Sequence, residues 1–144
     1  MKSTQIKTAR KKVKPIPKLI KELTKVFNYY IRLRDTDRGY GNCISCGLRK
    51  SFEELDAGHF FSVRHSKVRF DERNVHAQDI SCNRFRADYY KPYYAANLIR
   101  KIGLEAFQQL EKDSKETFKW DRKYLEDMIK LYKQKVKEKQ TSSL

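Results

Sequence analysis

Two cysteines in Cys43-Ile-Ser-Cys46, followed at once by Gly47, have the spacing of a metal knuckle. Two intervening residues let both thiolates reach one ion, and a glycine permits the tight turn that aims them inward. A lone CxxC is ambiguous, because redox motifs share it. Here Asp79-Ile-Ser-Cys82 repeats the spacing 33 residues after Cys46, giving the pattern C-x2-C-x32-D-x2-C. That is a four-ligand zinc pattern with a carboxylate in place of one thiolate. Carboxylate can ligate zinc, but zinc prefers the softer sulfur. Cys43, Cys46 and Cys82 are therefore the expected structural Zn2+ ligands. Asp79, His76 and water remain the candidates for the fourth position.

Between the two cysteine pairs stand Asp56-Ala-Gly-His59, Asn74-Val-His76 and, directly after Cys82, Asn83. A neutral imidazole on a strand, a polar residue in the next loop and a metal ligand on the following helix could converge on one phosphate. Metal-assisted hydrolysis needs such a set: a base for water and a cation for the developing charge.

Elements must hold these groups in place. Leu19, Leu23, Val26/Phe27, Tyr30 and Leu33 recur at helical spacing after Pro17, which predicts a helix over 17–38 ending near Gly39 or Gly41. Residues 40–90 lack a helical period. Short β-prone pieces there, His59-Phe60-Phe61 and Val68-Arg69-Phe70, predict a small irregular ββ unit with too few apolar side chains to hold itself together. A metal ion would staple it. Helices are predicted again over 92–139: Tyr94, Leu98 and Ile102 share a face before Gly103, Leu104 to Leu110 follows, and Asp121 caps a last helix with Leu125, Met128/Ile129, Tyr132 and Val136 inside. The fold class expected is α+β, with a zinc-stapled ββα core flanked by N- and C-terminal helices. Residues 1–16 read as a basic arm, 17–140 as one domain and 141–144 as a frayed tail. The tyrosines at 89, 90, 93 and 94 could stack nucleobases or pack a helix junction.

Charge narrows the partner. The 144 residues hold 33 Lys and Arg against 18 Asp and Glu, a formal charge of +15. Residues 1–25 carry 9 basic and 1 acidic residue, residues 26–90 carry 11 and 9, and residues 91–144 carry 13 and 8. The surplus sits on the flanks, including Lys11, Lys12 and Lys14, where it can track a phosphate backbone by releasing condensed counterions. Arg64, Arg69 and Arg73 lie near the site in sequence and could clamp phosphates, or serve as structural partners of Asp71 and Glu72. No run is apolar enough for a transmembrane helix. The arm lacks the apolar stretch of a signal peptide or a membrane-inserting face, and three cysteines do not make a disulfide framework. A reducing cytoplasm is expected.

Cys-x2-Cys, Ala-Gly-His-Phe (57–60), Arg-Phe-Asp-Glu-Arg-Asn-Val-His-Ala-Gln (69–78), Cys-Asn (82–83) and Tyr94…Leu98…Ile102-Gly103 together resemble the phage lambda NinG family, also called Rap recombination nucleases. That family belongs among the zinc-framed HNH or ββα-metal endonucleases. The resemblance implies a phage- or prophage-encoded endonuclease in a bacterial host, acting on branched DNA such as Holliday junctions and D-loops with phage or host recombination proteins. It implies His59 as general base, Asn74 as the brace of the loop, and Asn83 as ligand of a catalytic Mg2+ or Mn2+ with Asp56 auxiliary. Asp79 departs from the family pattern, which has cysteine there. Paired cuts across a junction would call for a homodimer. The rival expectations are a non-catalytic zinc module that binds branched or single-stranded DNA, and an RNA-binding factor using the same knuckle.

Overall fold

The computed structural model describes residues 12–142. Residues 12–15 are irregular, and helix α1 (Ile16–Arg34) follows with Pro17 in its first turn, where the missing amide hydrogen costs nothing. Leu19, Leu23, Phe27 and Ile31 form its buried stripe, each four residues from the last. The helix ends at Arg34, short of the predicted 38. Asp35 closes it, its amide donating to the Ile31 carbonyl at 3.1 Å, and the chain turns through Arg38 and Gly39, both at positive φ.

Two small antiparallel sheets come next. In the first, β1 (Tyr40–Asn42) pairs with β2 (Arg49–Ser51) and the CxxC turn lies between them. In the second, β3 (Leu55–His59) pairs with β4 (Val75–Asp79), with His59 opposite Val75 and Ala57 opposite Ala77. A short helix, α2 (Ile80–Arg84), leaves β4 directly. This corrects the strands expected from the sequence. Phe60 and Phe61 lie beyond the end of β3, Val68 closes a 3-10 turn, and the partner strand is Val75–Asp79.

Helix α3 (Ala87–Ile102) begins five residues before Pro92 rather than after it. Asp88 and Pro92 are both exposed, so the carbonyl that loses its helical donor can turn to water. Helix α4 (Leu104–Ser114) and helix α5 (Arg122–Ser142) complete the chain. Asp121 caps α5 as expected, Oδ1 accepting the Tyr124 amide at 2.7 Å. The helix continues through residues 141 and 142 of the expected tail. Residues 1–11 of the expected arm and residues 143–144 lie outside the described residues.

The flanking helices share the main core. The α1 stripe packs with Leu125, Ile129 and Tyr132 of α5 and with Phe70 and Val75. Phe27 meets Tyr132 and Phe70 edge-on, at 4.9 and 5.6 Å between ring centroids. Phe60, Val68, Tyr94, Leu98 and Leu110 form a second cluster between the loop after β3 and helices α3 and α4. The third is small: Cys43, Leu55, Ala77 and Cys82. Among the described residues, no helix is long and apolar enough to cross a membrane.

Candidate metal centre and hydrolytic site

The CxxC turn is held by its own backbone. Cys43 N donates to the Leu48 carbonyl at 3.0 Å and Gly47 N to the Cys43 carbonyl at 2.9 Å, with Gly47 at φ 75. Ile44 N donates to Ala77 O at 2.9 Å and Gln78 Nε2 to Ser45 Oγ at 2.7 Å, so the knuckle is sewn to β4. Cys82, one turn into α2, completes a cluster in which the three sulfurs lie within 4.8 Å of one another.

The Cys43 sulfur accepts three backbone amides, from Ser45, Cys46 and Asp79 at 3.3, 3.4 and 3.2 Å. Burial and the neighbouring sulfurs push the Cys82 thiol up to about 12, and burial raises Cys46. Cys46 and Cys82 therefore resist ionising unaided, and a thiophilic dication removes that penalty. The donor set therefore fits zinc.

Asp79 is not one of the clustered ligands. Its Oδ1 accepts the Ser81 amide at 3.0 Å, capping α2, and its Oδ2 pairs with Lys50 Nζ at 3.1 Å. What it gives the cluster is its backbone amide. His76 is also engaged elsewhere, donating from Nε2 to the Arg73 carbonyl at 2.9 Å while Nδ1 accepts from Lys101 and Arg34 at 2.9 and 3.1 Å. Among the described residues, the clustered candidate ligands are the three cysteine sulfurs.

The hydrolytic candidates lie on β3, the loop after it and α2. His59 Nε2 sits 2.8 Å from the Arg69 carbonyl. A carbonyl only accepts, so Nε2 carries the hydrogen and Nδ1 keeps a free lone pair. Burial lowers the His59 pKa and the Arg69 charge adds to this, against the opposing hydrogen bond, so the ring is neutral at neutral pH. Asn74 is fully buried and clamps the loop by three bonds, accepting from Phe61 N and donating to the Phe61 and Val68 carbonyls.

Asn83 Nδ2 donates to Asp56 Oδ2 at 3.1 Å, and Arg84 donates to both Asp56 oxygens at 3.0 and 3.1 Å. With its NH2 turned to Asp56, the Asn83 amide presents Oδ1, the end that can ligate a hard cation, away from that carboxylate. Asp56 is thus committed to orienting Asn83 and pairing with Arg84. Lys25, Asn28, Asp56, Ala57, Asn83 and Arg84 line a cleft of about 520 Å³. Asn28 Oδ1 is buried there without a hydrogen-bond partner. Oxygen donors of this kind suit a hydrated Mg2+ or Mn2+. His59 shares the side of β3 that Ala57 presents, two residues along.

The arginines divide. Arg69 stacks on Phe70 and Trp120 at 5.3 and 5.5 Å, with Thr24 Oγ1 3.4 Å from its guanidinium. Arg64 is exposed. Arg73 is paired with Asp71 and Asp113 at 2.6 and 2.8 Å, so the structure gives it the partnership with Asp71 that the sequence offered beside the phosphate clamp. Lys12 is exposed, Lys14 pairs with Glu22 at 3.0 Å, and Lys11 lies outside the described residues. Sequence reasoning missed Asn28, although it is the one Asn within the α1 span. It also missed the polar knot of Arg34, Asp35 and Lys101 around His76, which long-range folding alone brings together.

These features define a small α+β protein built on a cluster of three thiols, two of them buried, and a histidine-bearing strand-strand-helix unit. Residues 1–141 match the family model described as Bacteriophage Lambda NinG protein, and the chain belongs to that family of lambdoid phage proteins. It is 34% identical over 135 residues to protein ninG of Salmonella phage P22, covering 93% of this chain and 64% of that protein. It is 32% identical over 139 residues to protein ninG of Escherichia phage lambda, covering 96% and 65%. The chain thus spans just under two thirds of the length of these relatives. No solved structure matches it.

Proposed function

We propose that the chain is a metal-dependent endonuclease that cuts branched DNA, such as Holliday junctions and D-loops, in the host cytoplasm during phage recombination. The observation that carries this reading is the hold on His59: the Arg69 carbonyl takes the Nε2 hydrogen and burial keeps the ring neutral, which leaves Nδ1 as a base. Nδ1 takes a proton from water as its oxygen attacks phosphorus in line. The bond from phosphorus to the 3′ oxygen breaks, leaving a 5′ phosphate and a 3′ hydroxyl, and the imidazolium returns its proton to the leaving oxygen or to solvent. Asn83 Oδ1 would hold Mg2+ or Mn2+, with Asp56 fixing the amide that presents it. When bound there, the ion supplies Lewis-acid stabilisation of the charge gathering on the phosphoryl and leaving oxygens.

Asn74 keeps the loop, and so the Arg69 carbonyl, in register with His59. The Arg69 guanidinium, steadied by two rings, would grip a flanking phosphate. Basic flanks supply shape-independent grip on the DNA backbone. Zinc on the three cysteines keeps the knuckle against β4 and α2. Paired cuts would come from a two-fold dimer, with recruitment by phage or host recombination proteins.

A nicking assay on a synthetic four-way junction with Mg2+ tests the reading. His59→Ala should lose about 100-fold or more in rate while binding the junction normally. If the wild type cuts no better than His59→Ala, the chain is instead a zinc-containing DNA-binding module.

A further inference from the structure

Three rings at the junction of α2 and α3 belong to no core. Phe85 is 82% exposed, Tyr89 67% and Tyr93 52%. They succeed one another at four-residue spacing, so the two tyrosines share a side of α3. Tyr89 and Tyr93 lie 6.0 Å apart with planes inclined by 30°, and Tyr90 meets them at 4.9 and 5.8 Å. Tyr90 in turn packs against the cluster of Cys43, Leu55, Ala77 and Cys82. Tyr89 and Tyr93 are therefore backed, through Tyr90, by the cysteine cluster.

Adjoining exposed tyrosine rings, with exposed Phe85 four residues before Tyr89, mark a contact surface. Its surroundings say for what. Residues 84 to 101 hold Arg84, Arg86, Lys91, Arg100 and Lys101 and one acidic residue, Asp88. Arg84 pairs with Asp56 and Lys101 with Asp35, so the local surplus beside the rings rests on Arg86, Lys91 and Arg100. Arg84 and Arg86 bracket Phe85, and the Arg84 side chain is 60% exposed. Flat rings among guanidinium groups match a flat, uncharged ligand strung on an anionic backbone: an unstacked nucleobase with its phosphates. Paired duplex DNA hides the faces of its bases, whereas a branch point can offer them.

We propose that Phe85, Tyr89 and Tyr93 form a ledge on which unpaired bases of branched or single-stranded DNA stack. The proposal deepens the nuclease reading and rests on it for the DNA partner. Phe85 lies two residues after Asn83, so a strand seated on the ledge passes beside the candidate hydrolytic cleft.

The test uses the full chain with zinc and with no magnesium or manganese added. Fluorescence anisotropy compares a three-way junction carrying unpaired bases at its branch with a paired duplex of equal length. Tyr89→Ala with Tyr93→Ala should weaken junction binding by ~10-fold or more and leave duplex binding unchanged. Phe85→Ala should weaken it in the same selective way, and Tyr89→Phe with Tyr93→Phe should behave as wild type. A fluorescent base analogue at the branch should be quenched by the wild type and not by the alanine variant. Unchanged junction binding in the alanine variants overturns the ledge, as does an equal loss on both DNAs. Loss of self-association with DNA selectivity intact assigns the face to a second copy of the chain and also overturns it. Cutting is measured separately with Mg2+. A wild type that never cuts yet keeps its ring-dependent selectivity sinks the nuclease reading and leaves the ledge standing.

Discussion

Asn74 and Phe61 exchange two hydrogen bonds: the Phe61 amide donates to Asn74 Oδ1 at 2.8 Å, and Asn74 Nδ2 donates to the Phe61 carbonyl at 2.9 Å. The second hydrogen of Nδ2 goes to Val68 O at 3.1 Å. One side chain thereby closes the loop between β3 and β4, and that loop carries the carbonyl holding His59.

Removing this clamp strands several buried polar groups at once. Asn74→Ala should destabilise the fold by about 2–4 kcal/mol in urea unfolding. Asn74→Asp should not rescue it, because a carboxylate has no hydrogen for the two carbonyls. Wild-type stability in either variant would mean that the loop is held by other contacts.

Metal content separates the cysteines from Asp79. One zinc per chain is expected by elemental analysis, lost in Cys43→Ser and kept in Asp79→Asn, which can still cap α2. Asp79→Ala should keep the ion and cost about 1 kcal/mol through the lost cap. Asp79→Cys should hold zinc against a chelator more tightly than wild type, since the residue 79 amide already touches the Cys43 sulfur. Loss of zinc in Asp79→Asn would instead make the carboxylate a ligand.

His76 predicts an acid-sensitive fold. Burial, with Lys101 and Arg34 beside it, holds its pKa at about 4, against an opposing pull from Asp35. The unfolded chain takes up this proton near its ordinary value of about 6.5. The contribution is therefore complete above that value and is lost as pH falls to about 4. The loss should reach about 3 kcal/mol. Asp35, held at about 2 with Arg34 as its main stabilising partner, titrates in a lower window. Urea midpoints compared at neutral and mildly acid pH check this, and His76→Gln should flatten the slope.

Gly58 precedes His59 because Gln78 lies over it. A Cβ at residue 58 would meet the Gln78 side chain, its Oε1 at 2.0 Å and its Cβ at 2.8 Å. Gln78 cannot swing away without releasing Ser45 of the knuckle. Gly58→Ala should therefore lower the melting temperature by several degrees and weaken zinc retention together. A variant melting like the wild type would show that Gln78 has room to move.

The helices α1, α3 and α5 were legible because each buries one stripe, as Leu19, Leu23, Phe27 and Ile31 do. Strand β4 was not. Val75, His76, Ala77 and Gln78 are all buried, so no polar alternation marks the strand, and two of its four covered residues are polar. Val68-Arg69-Phe70 has β-prone side chains, yet Val68 and Phe70 are anchors for two different cores and the backbone between them turns. Asp79 occupies a cysteine's place in the spacing, and spacing cannot tell a backbone donor from a ligand. Of the candidate site, the residues of β3 and α2 were readable as a series. The ties among them, such as Arg84 to Asp56, required the fold.

The main core joins Leu19 to Ile31 in α1 with Leu125 to Tyr132 in α5. On the ribosome, the apolar side of α1 therefore waits for roughly 100 further residues before its cover is complete. Cys82 arrives much sooner, so the thiol cluster can close while α1 has only Phe70 and Val75 of this core against its stripe. A nascent chain stalled between these two points would present a half-covered helix, and chaperone demand should peak there.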